Sequence, residues 1–329
     1  MKKLTFQRIS ALGLSVCFFT GSVMGQAINE SPNDTRNMPM AITPMRAIPE
    51  ATEQYVAAPV NYGPSAQTLE AFRISDPNRA STSVKVRNEV VRQLPYRELS
   101  SESQQKVRSV LKDISMYRRL PVQTVVCEED LFEFITRHPD VLTNLWEVMN
   151  ISKIRMKEVG PDQFYLEDNA GTRGMIECLY RGDRYLLIHV LGSYEGAPFP
   201  KQVKGSGLLV LQYLPTTNEM GQQLLSVRMD AFMQIENMGV DALAKTFGPL
   251  VGKVGDHNFV QTVGFLGVLS RTVCYNGDGV RQVATQLKSV RPEVSERFGT
   301  LSMQICDRVE RQRGPLPVPM TAQTESTVR

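Results

Sequence analysis

The chain has 329 residues, 42% of them hydrophobic, and carries 37 Lys and Arg against 34 Asp and Glu. That length accommodates one or two domains. The small positive balance comes from Lys2, Lys3 and Arg8; the rest of the chain holds 34 charges of each sign, which excludes a basic field selecting nucleic acid or anionic lipid.

Residues 1–25 read as a secretory signal peptide. A charged start is followed by an apolar stretch from Ile9 to Phe19 and then small residues, with cleavage after Gly25 or Ala27. The apolar stretch is too short to span a bilayer, and an uncleaved anchor is the alternative. Lipidation at Cys17 is disfavoured by the bulky Val16 before it and by Phe18-Phe19 after it. The leader implies export to a periplasm, a cell envelope or the exterior.

Residues 26–83 read as a disordered tether. Pro32, Pro39, Pro44, Pro49, Pro59, Pro64 and Pro77 fall in a stretch with no sustained apolar period, which cannot bury enough surface to offset its ordering entropy. Asn33-Asp-Thr35 and Asn150-Ile-Ser152 match glycosylation sequons, which matter only in a eukaryote. Residues 84–121 form a packing-helix region. Ser101-Glu-Ser-Gln104 has the form of a capping box. Val107, Val110, Leu111, Ile114 and Tyr117 then follow a helical period, and Arg118-Arg119 close the helix before Pro121.

Residues 122–275 hold the main domain. Val122–Cys127 is β-branched and predicts a strand. Glu128, Glu129 and Asp130 load the start of a helix over Leu131–Arg137, and after His138-Pro139 a second helix covers Asp140–Met149. Strands follow over Lys153–Val159, Gln163–Asp168, Met175–Arg181, Tyr185–Tyr194, Leu208–Leu214 and Gln223–Ile235. Arg181-Gly-Asp-Arg184 is a hairpin signal, and Gly205-Ser-Gly207 reads as a turn into a strand.

The strand over Gln223–Ile235 has the strongest pattern. Leu225, Val227, Met229, Ala231, Met233 and Ile235 share one face, while Ser226, Arg228 and Asp230 share the other, the mark of a half-buried antiparallel strand. After Asn237 the period becomes helical, through Val240, Leu243, Ala244, Phe247, Leu250 and Val251. Gly248-Pro249 predicts a bend or break, and Asp256 caps a second segment, Phe259–Val273, apolar nearly all round. Gly264 and Gly267 would let a strand or a ligand approach closely. Residues 276–311 read as a C-terminal helical extension and 312–329 as a disordered tail.

The order of elements is strand, two short helices, six strands, then a long helical stretch. It resembles the helix-grip fold of the START and polyketide-cyclase-like superfamily, over a little under half of the chain. The fold expected is therefore α+β, an antiparallel sheet curled around a C-terminal helix, with flanking helices. The resemblance rests on element order, with no signature motif, and the Gly248-Pro249 break departs from the family's continuous gripping helix. It implies a cavity between sheet and helix, which in that superfamily takes lipids, sterols or other apolar ligands. On this reading Ile176, Cys178, Tyr180, Val227, Met229 and Met233 face Phe259, Val263 and Leu266 as ligand-binding positions; close-packed core is the alternative for all of them.

Cys127, Cys178, Cys274 and Cys306 remain after cleavage and permit two disulfides in three connectivities. Cys127 and Cys178 lie in apolar strands, where a buried free thiol is the commoner state; Cys274 with Cys306 is the leading pair. Of the three histidines, His138 reads as an exposed junction residue and His257 as part of a helix start. His189 shares a strand face with Tyr185, Leu187 and Leu191, and is the weak catalytic candidate, with a core role as its alternative. Glu177 with Arg181, and Arg228 with Asp230, read as solvated cross-strand charges, or as head-group anchors if they point inward. The sequence lacks HExxH, CxxC, GxSxG and a phosphate-binding glycine loop, so it calls for no metal and no cofactor.

Three functions follow as expectations. The first is an exported, non-enzymatic module that binds an apolar or amphipathic small molecule between sheet and helix. The second is a structural or interaction protein of the cell envelope with a solid core. The third is a cyclase- or hydrolase-type enzyme using His189. A protein partner is left unspecified, and no transmembrane span is expected in the mature chain.

Overall fold

The computed structural model describes residues 80–196, 201–236 and 248–313. The leader, nearly all of the tether, the Pro198-Pro200 loop, the helical run from Val240 to Phe247 and most of the tail lie outside the described residues. In chain order the elements are α1 (Val84–Arg92), a 3-10 turn (Tyr96–Glu98), α2 (Ser101–Lys112), β1 (Met116–Arg119), β2 (Gln123–Val126), α3 (Glu129–Arg137) and α4 (Pro139–Val148). Then come β3 (Arg155–Gly160), β4 (Gln163–Glu167), β5 (Thr172–Gly182), β6 (Tyr185–Tyr194), β7 (Val203–Thr217) and β8 (Gln223–Ile235). Three helices follow: α5 (Gly248–Tyr275), α6 (Gly277–Ala284) and α7 (Pro292–Arg313).

The fold is α+β, with one antiparallel sheet of eight strands in the order β1-β8-β7-β6-β5-β4-β3. From β3 to β8 the chain is a meander in which each strand pairs with the next. Asp162 and Arg184 adopt left-handed φ values of 53° and 54° at two of its turns, the local cost of reversing the chain so tightly. The far edge of β8 is shared: β1 pairs with its second half and β2 with its first half. Pro121 lies between them, where a residue without an N–H is tolerated at an edge.

One face of the sheet buries Leu186, Ile188, Leu209, Leu211, Val227 and Met229 against Phe259, Val263 and Leu266 of α5, with α3, α4, α6 and α7 completing the layer. The other face is also covered. Leu187, Leu208, Val210 and Phe232 pack with Val90 of α1, Val107 and Val110 of α2, and Tyr117 of β1. The sheet is therefore the middle of three layers, which accounts for the near-continuous apolar runs of β6 and β7.

Several expectations are corrected. The helix predicted to reach Tyr117 stops at Lys112; Tyr117 and Arg119 lie in β1, and Arg118-Arg119 close no helix. The cap of α2 is Ser100, whose Oγ accepts from the Ser103 N–H at 3.1 Å. Gly205-Ser-Gly207 lies within β7. The Gly248-Pro249 junction lies where the described residues resume, and from Gly248 the helix α5 runs unbroken to Tyr275. Asp256 and His257 consequently sit inside α5 and cap no helix start; Asp256 accepts from Arg118 Nε at 2.7 Å. No helix among the described residues is long and apolar enough to cross a membrane.

Candidate functional site

Of the positions expected to line a ligand cavity, Val227, Met229, Phe259, Val263 and Leu266 meet around one apolar void between the sheet, α3, α4 and α5. Its volume is about 30 Å³, room for about one water, against the several hundred Å³ of a small-molecule site. Ile176 and Cys178 belong to this helix-side core away from the void. Met233 is 4% exposed and buried outside that cluster. Tyr180 is on the opposite face. A β-bulge between Cys178 and Tyr180 shifts the register of β5 against β6, and an inserted residue turns every later side chain over. Tyr180 accordingly packs edge-on to Tyr185 under α1 and α2.

The same bulge separates Glu177 from Arg181. Glu177 accepts from Lys106 of α2 at 2.7 Å, while Arg181 reaches Thr136 of α3 and Asp162 on the helix side. Arg228 and Asp230 are not solvated. Asp230 is fully buried on the α1–α2 side, with its carboxylate accepting from Tyr117 Oη at 2.6 Å and from Arg119 Nε and Nη2 at 2.8 and 3.2 Å. Arg228 lies 3.7 Å from Asp230 and donates to Gln212. These are structural pairs, enclosed on the face away from the void.

His189 shares that face. It is 5% exposed and stands opposite Glu177 in the β5–β6 register, away from both α5 and the void. Burial pushes its imidazole down to about 4, with Lys106 adding to the effect. Buried there, it meets no substrate in the sheet–helix interior. His138 is half-buried rather than exposed, 4.8 Å from the Phe134 ring. His257 is exposed.

A larger concavity, of about 470 Å³, opens at the β3 edge. Its walls are Asp140 of α4, Arg155 to Glu158 of β3, Tyr165 and Glu167 of β4, and the α6–α7 connection from Lys288 to Arg291. Glu158 accepts two bonds from Arg291, at 2.9 and 3.1 Å, and Arg155 pairs with Glu147 at 3.2 Å. The Ser289 N–H donates to Asn144 Oδ1 at 3.4 Å and holds the connection to α4. Lys157 and Lys288 make no ion pair with a described residue. Asp140 is 1% exposed; burial, then the nearby Glu158 charge, push it up to about 6, against the opposing pull of the backbone N–H groups of Asp140 and Val141 at the start of α4.

The expected site missed this groove because its walls come from four separated segments, each an ordinary solvated stretch on its own. A faint signal was present: Arg155 and Lys157 alternate along a strand, and a second basic pair, Lys288 and Arg291, falls in a helix–helix connection. Among the described residues no three His, Cys, Asp or Glu side chains are placed to hold a metal.

No family model matches the chain, and no curated protein matches it. Among solved structures, a conserved protein from Geobacillus kaustophilus is 14% identical, covering 46% of this chain and 93% of its own, with a TM-score of 0.31. The hypothetical protein jhp0584 from Helicobacter pylori is 16% identical over 46% of this chain and 88% of its own, with a TM-score of 0.29. Apo dicamba monooxygenase is 13% identical over 62% of this chain and 59% of its own, with a TM-score of 0.26. Likenesses this distant carry no argument about function.

Proposed function

We propose that this protein is an exported, non-enzymatic binding module with a solid sheet–helix interior, and that it binds a small carboxylate- or phosphate-bearing molecule in the β3-edge groove. The observation that carries this reading is the contrast of volumes, about 30 Å³ in the interior and about 470 Å³ at the edge. Four cationic side chains, Arg155, Lys157, Lys288 and Arg291, share the groove with three carboxylates. Arg291 and Arg155 are committed to Glu158 and Glu147, which leaves Lys157 and Lys288 as the attraction for an anion.

The test is native mass spectrometry of the full chain without its leader, purified without detergent, followed by titration calorimetry with a panel of small di- and tricarboxylates and phosphate esters. Binding at micromolar to millimolar concentration that is lost in the Lys157→Glu/Lys288→Glu double variant is the expected result. A co-purifying mass that partitions into organic solvent, or uptake of a fluorescent fatty acid, would return the site to the sheet–helix interior, the placement implied by the START-like resemblance.

A further inference from the structure

The corner where α3 turns into α4 gathers guanidinium groups from separate segments of the chain. Arg137 ends α3, and His138 follows it as the residue before α4. Arg181 of β5 is tied to the same turn, donating from Nη1 to Thr136 Oγ1 and from Nη2 to the Thr136 carbonyl, both at 3.3 Å. Arg297 arrives on α7. Its neighbour Phe298 stacks on Phe134 with ring centroids 5.8 Å apart, and Phe134 packs on the His138 ring at 4.8 Å. Arg291, just before α7, is held on Glu158 by two bonds, and Arg181 pairs with Asp162 at 3.3 Å. Arg137 and Arg297 are exposed and make no ion pair with a described residue.

We propose that this corner is a second anion site, which takes a phosphoryl group between Arg137, His138 and Arg297. The two uncommitted guanidinium groups supply planar forks of N–H donors that match phosphate oxygens in pairs. Arg181 and Arg291 remain on their carboxylates and keep the surroundings positive. The field is felt at His138: burial, then the charges of Arg297, Arg291, Arg137 and Arg181, push its imidazole down to about 4. The ring is therefore neutral at pH 7, with one N–H to give. Its Nδ1 has no hydrogen-bond partner, so the protein does not fix the tautomer through that nitrogen, and a ligand can select it. Arg137, His138, Arg181 and Arg297 are not among the walls of the β3-edge groove; Arg291 alone belongs to both. The corner site does not need the groove to bind anything.

The test uses the full chain without its leader, with sulfate as the probe, because sulfate has the shape of a phosphoryl group and keeps its charge near neutral pH. The ring signals of the three histidines are followed by NMR at pH 7 as sulfate is added. His138 should move saturably, with a Kd in the millimolar range, while His189 and His257 hold still. Chloride at matched ionic strength should leave His138 where it was. Arg137→Glu/Arg297→Glu should weaken sulfate by about tenfold or more. Lys157→Glu/Lys288→Glu should leave it unchanged, so failure of the groove and failure of the corner read separately. A His138 response that chloride reproduces, or sulfate binding that survives charge reversal at Arg137 and Arg297, would overturn the proposal. The histidine signals of the unmodified chain decide the matter even if the double variant fails to fold. Displacement of sulfate by a soluble phosphate monoester, compared with sedimentation on phosphatidic acid vesicles, then tells a free ligand from a lipid head group, and either one supports the site.

Discussion

Asp230 is the residue on which the second face of the sheet turns. Its carboxylate, fully buried, is held by Tyr117 and Arg119 of β1 with Arg228 beside it, so the edge strand is fixed by charge as well as by backbone pairing. Asp230→Ala would leave two guanidinium groups enclosed without their counter-charge. We expect a loss of about 3 to 5 kcal/mol, read as a fall in the urea midpoint. Two other buried groups make stability depend on pH in opposite directions. His189 has its ordinary value near 6.5 when unfolded and about 4 when folded. The unfolded chain therefore binds more protons in that window, and stability present above pH 6.5 is lost as the pH falls towards 4, by up to about 3 kcal/mol. Asp140 runs the other way, from 3.8 to about 6: its neutral form is favoured in the fold, so the stability it contributes below pH 3.8 is lost as the pH rises through 6. His189→Gln should flatten the acid limb of a stability–pH curve. Asp140→Asn should raise stability at pH 8 by up to about 3 kcal/mol and steepen that limb. Denaturant titrations at pH 4.5, 6 and 8 check both.

At the scale of elements, the two glycines of α5 have opposite meanings. Gly267 lets α5 lie against β2: an added Cβ would be 3.1 Å from Val125 Cβ. Gly264 faces open space, with nothing within 4 Å. Gly267→Ala should therefore destabilise by about 1 to 3 kcal/mol through overpacking, while Gly264→Ala should stabilise by up to about 1 kcal/mol through helix propensity alone. Thermal unfolding of the two variants must move in opposite directions for this account to hold. The close approach at one of these glycines was legible in the sequence, but which one, and to a strand rather than a ligand, was not, because both sit in the same apolar run. Strand positions were legible because alternation along β8 is a local property of the chain. The β5 bulge had no local mark, and it moved Tyr180 and Arg181 to the faces opposite those the period assigned.

For the molecule as a whole, residues 84–121 are a structural layer. They cover Leu187, Leu208, Val210 and Phe232, each 2% exposed or less. At about 2 kcal/mol per fully buried side chain, that cover is comparable to the net stability of an ordinary domain. A chain cut to residues 122–313 also loses β1 and exposes an unpaired stretch of β8. We expect it to aggregate or to elute as large assemblies in size-exclusion chromatography. A monomer that unfolds cooperatively at the full-length Tm would show that the layer is dispensable.

By itself the sequence determined the α+β class, the six-strand meander, the two helices before it and the long helix after it, because periodicities of 2 and 3.6 are written locally in residues such as Leu225 to Ile235 and Phe259 to Val273. Only the tertiary structure decided which polar faces are wet. Arg228 and Asp230 alternate with apolar neighbours as solvated charges do, and they are buried because α1, α2 and β1 return to cover them. The β3-edge groove was likewise decided in three dimensions, since α4, two strands and a helix–helix connection meet there from distant parts of the chain. Local pattern specifies what each segment can bury; what is present to bury it against depends on contacts between segments far apart in the sequence.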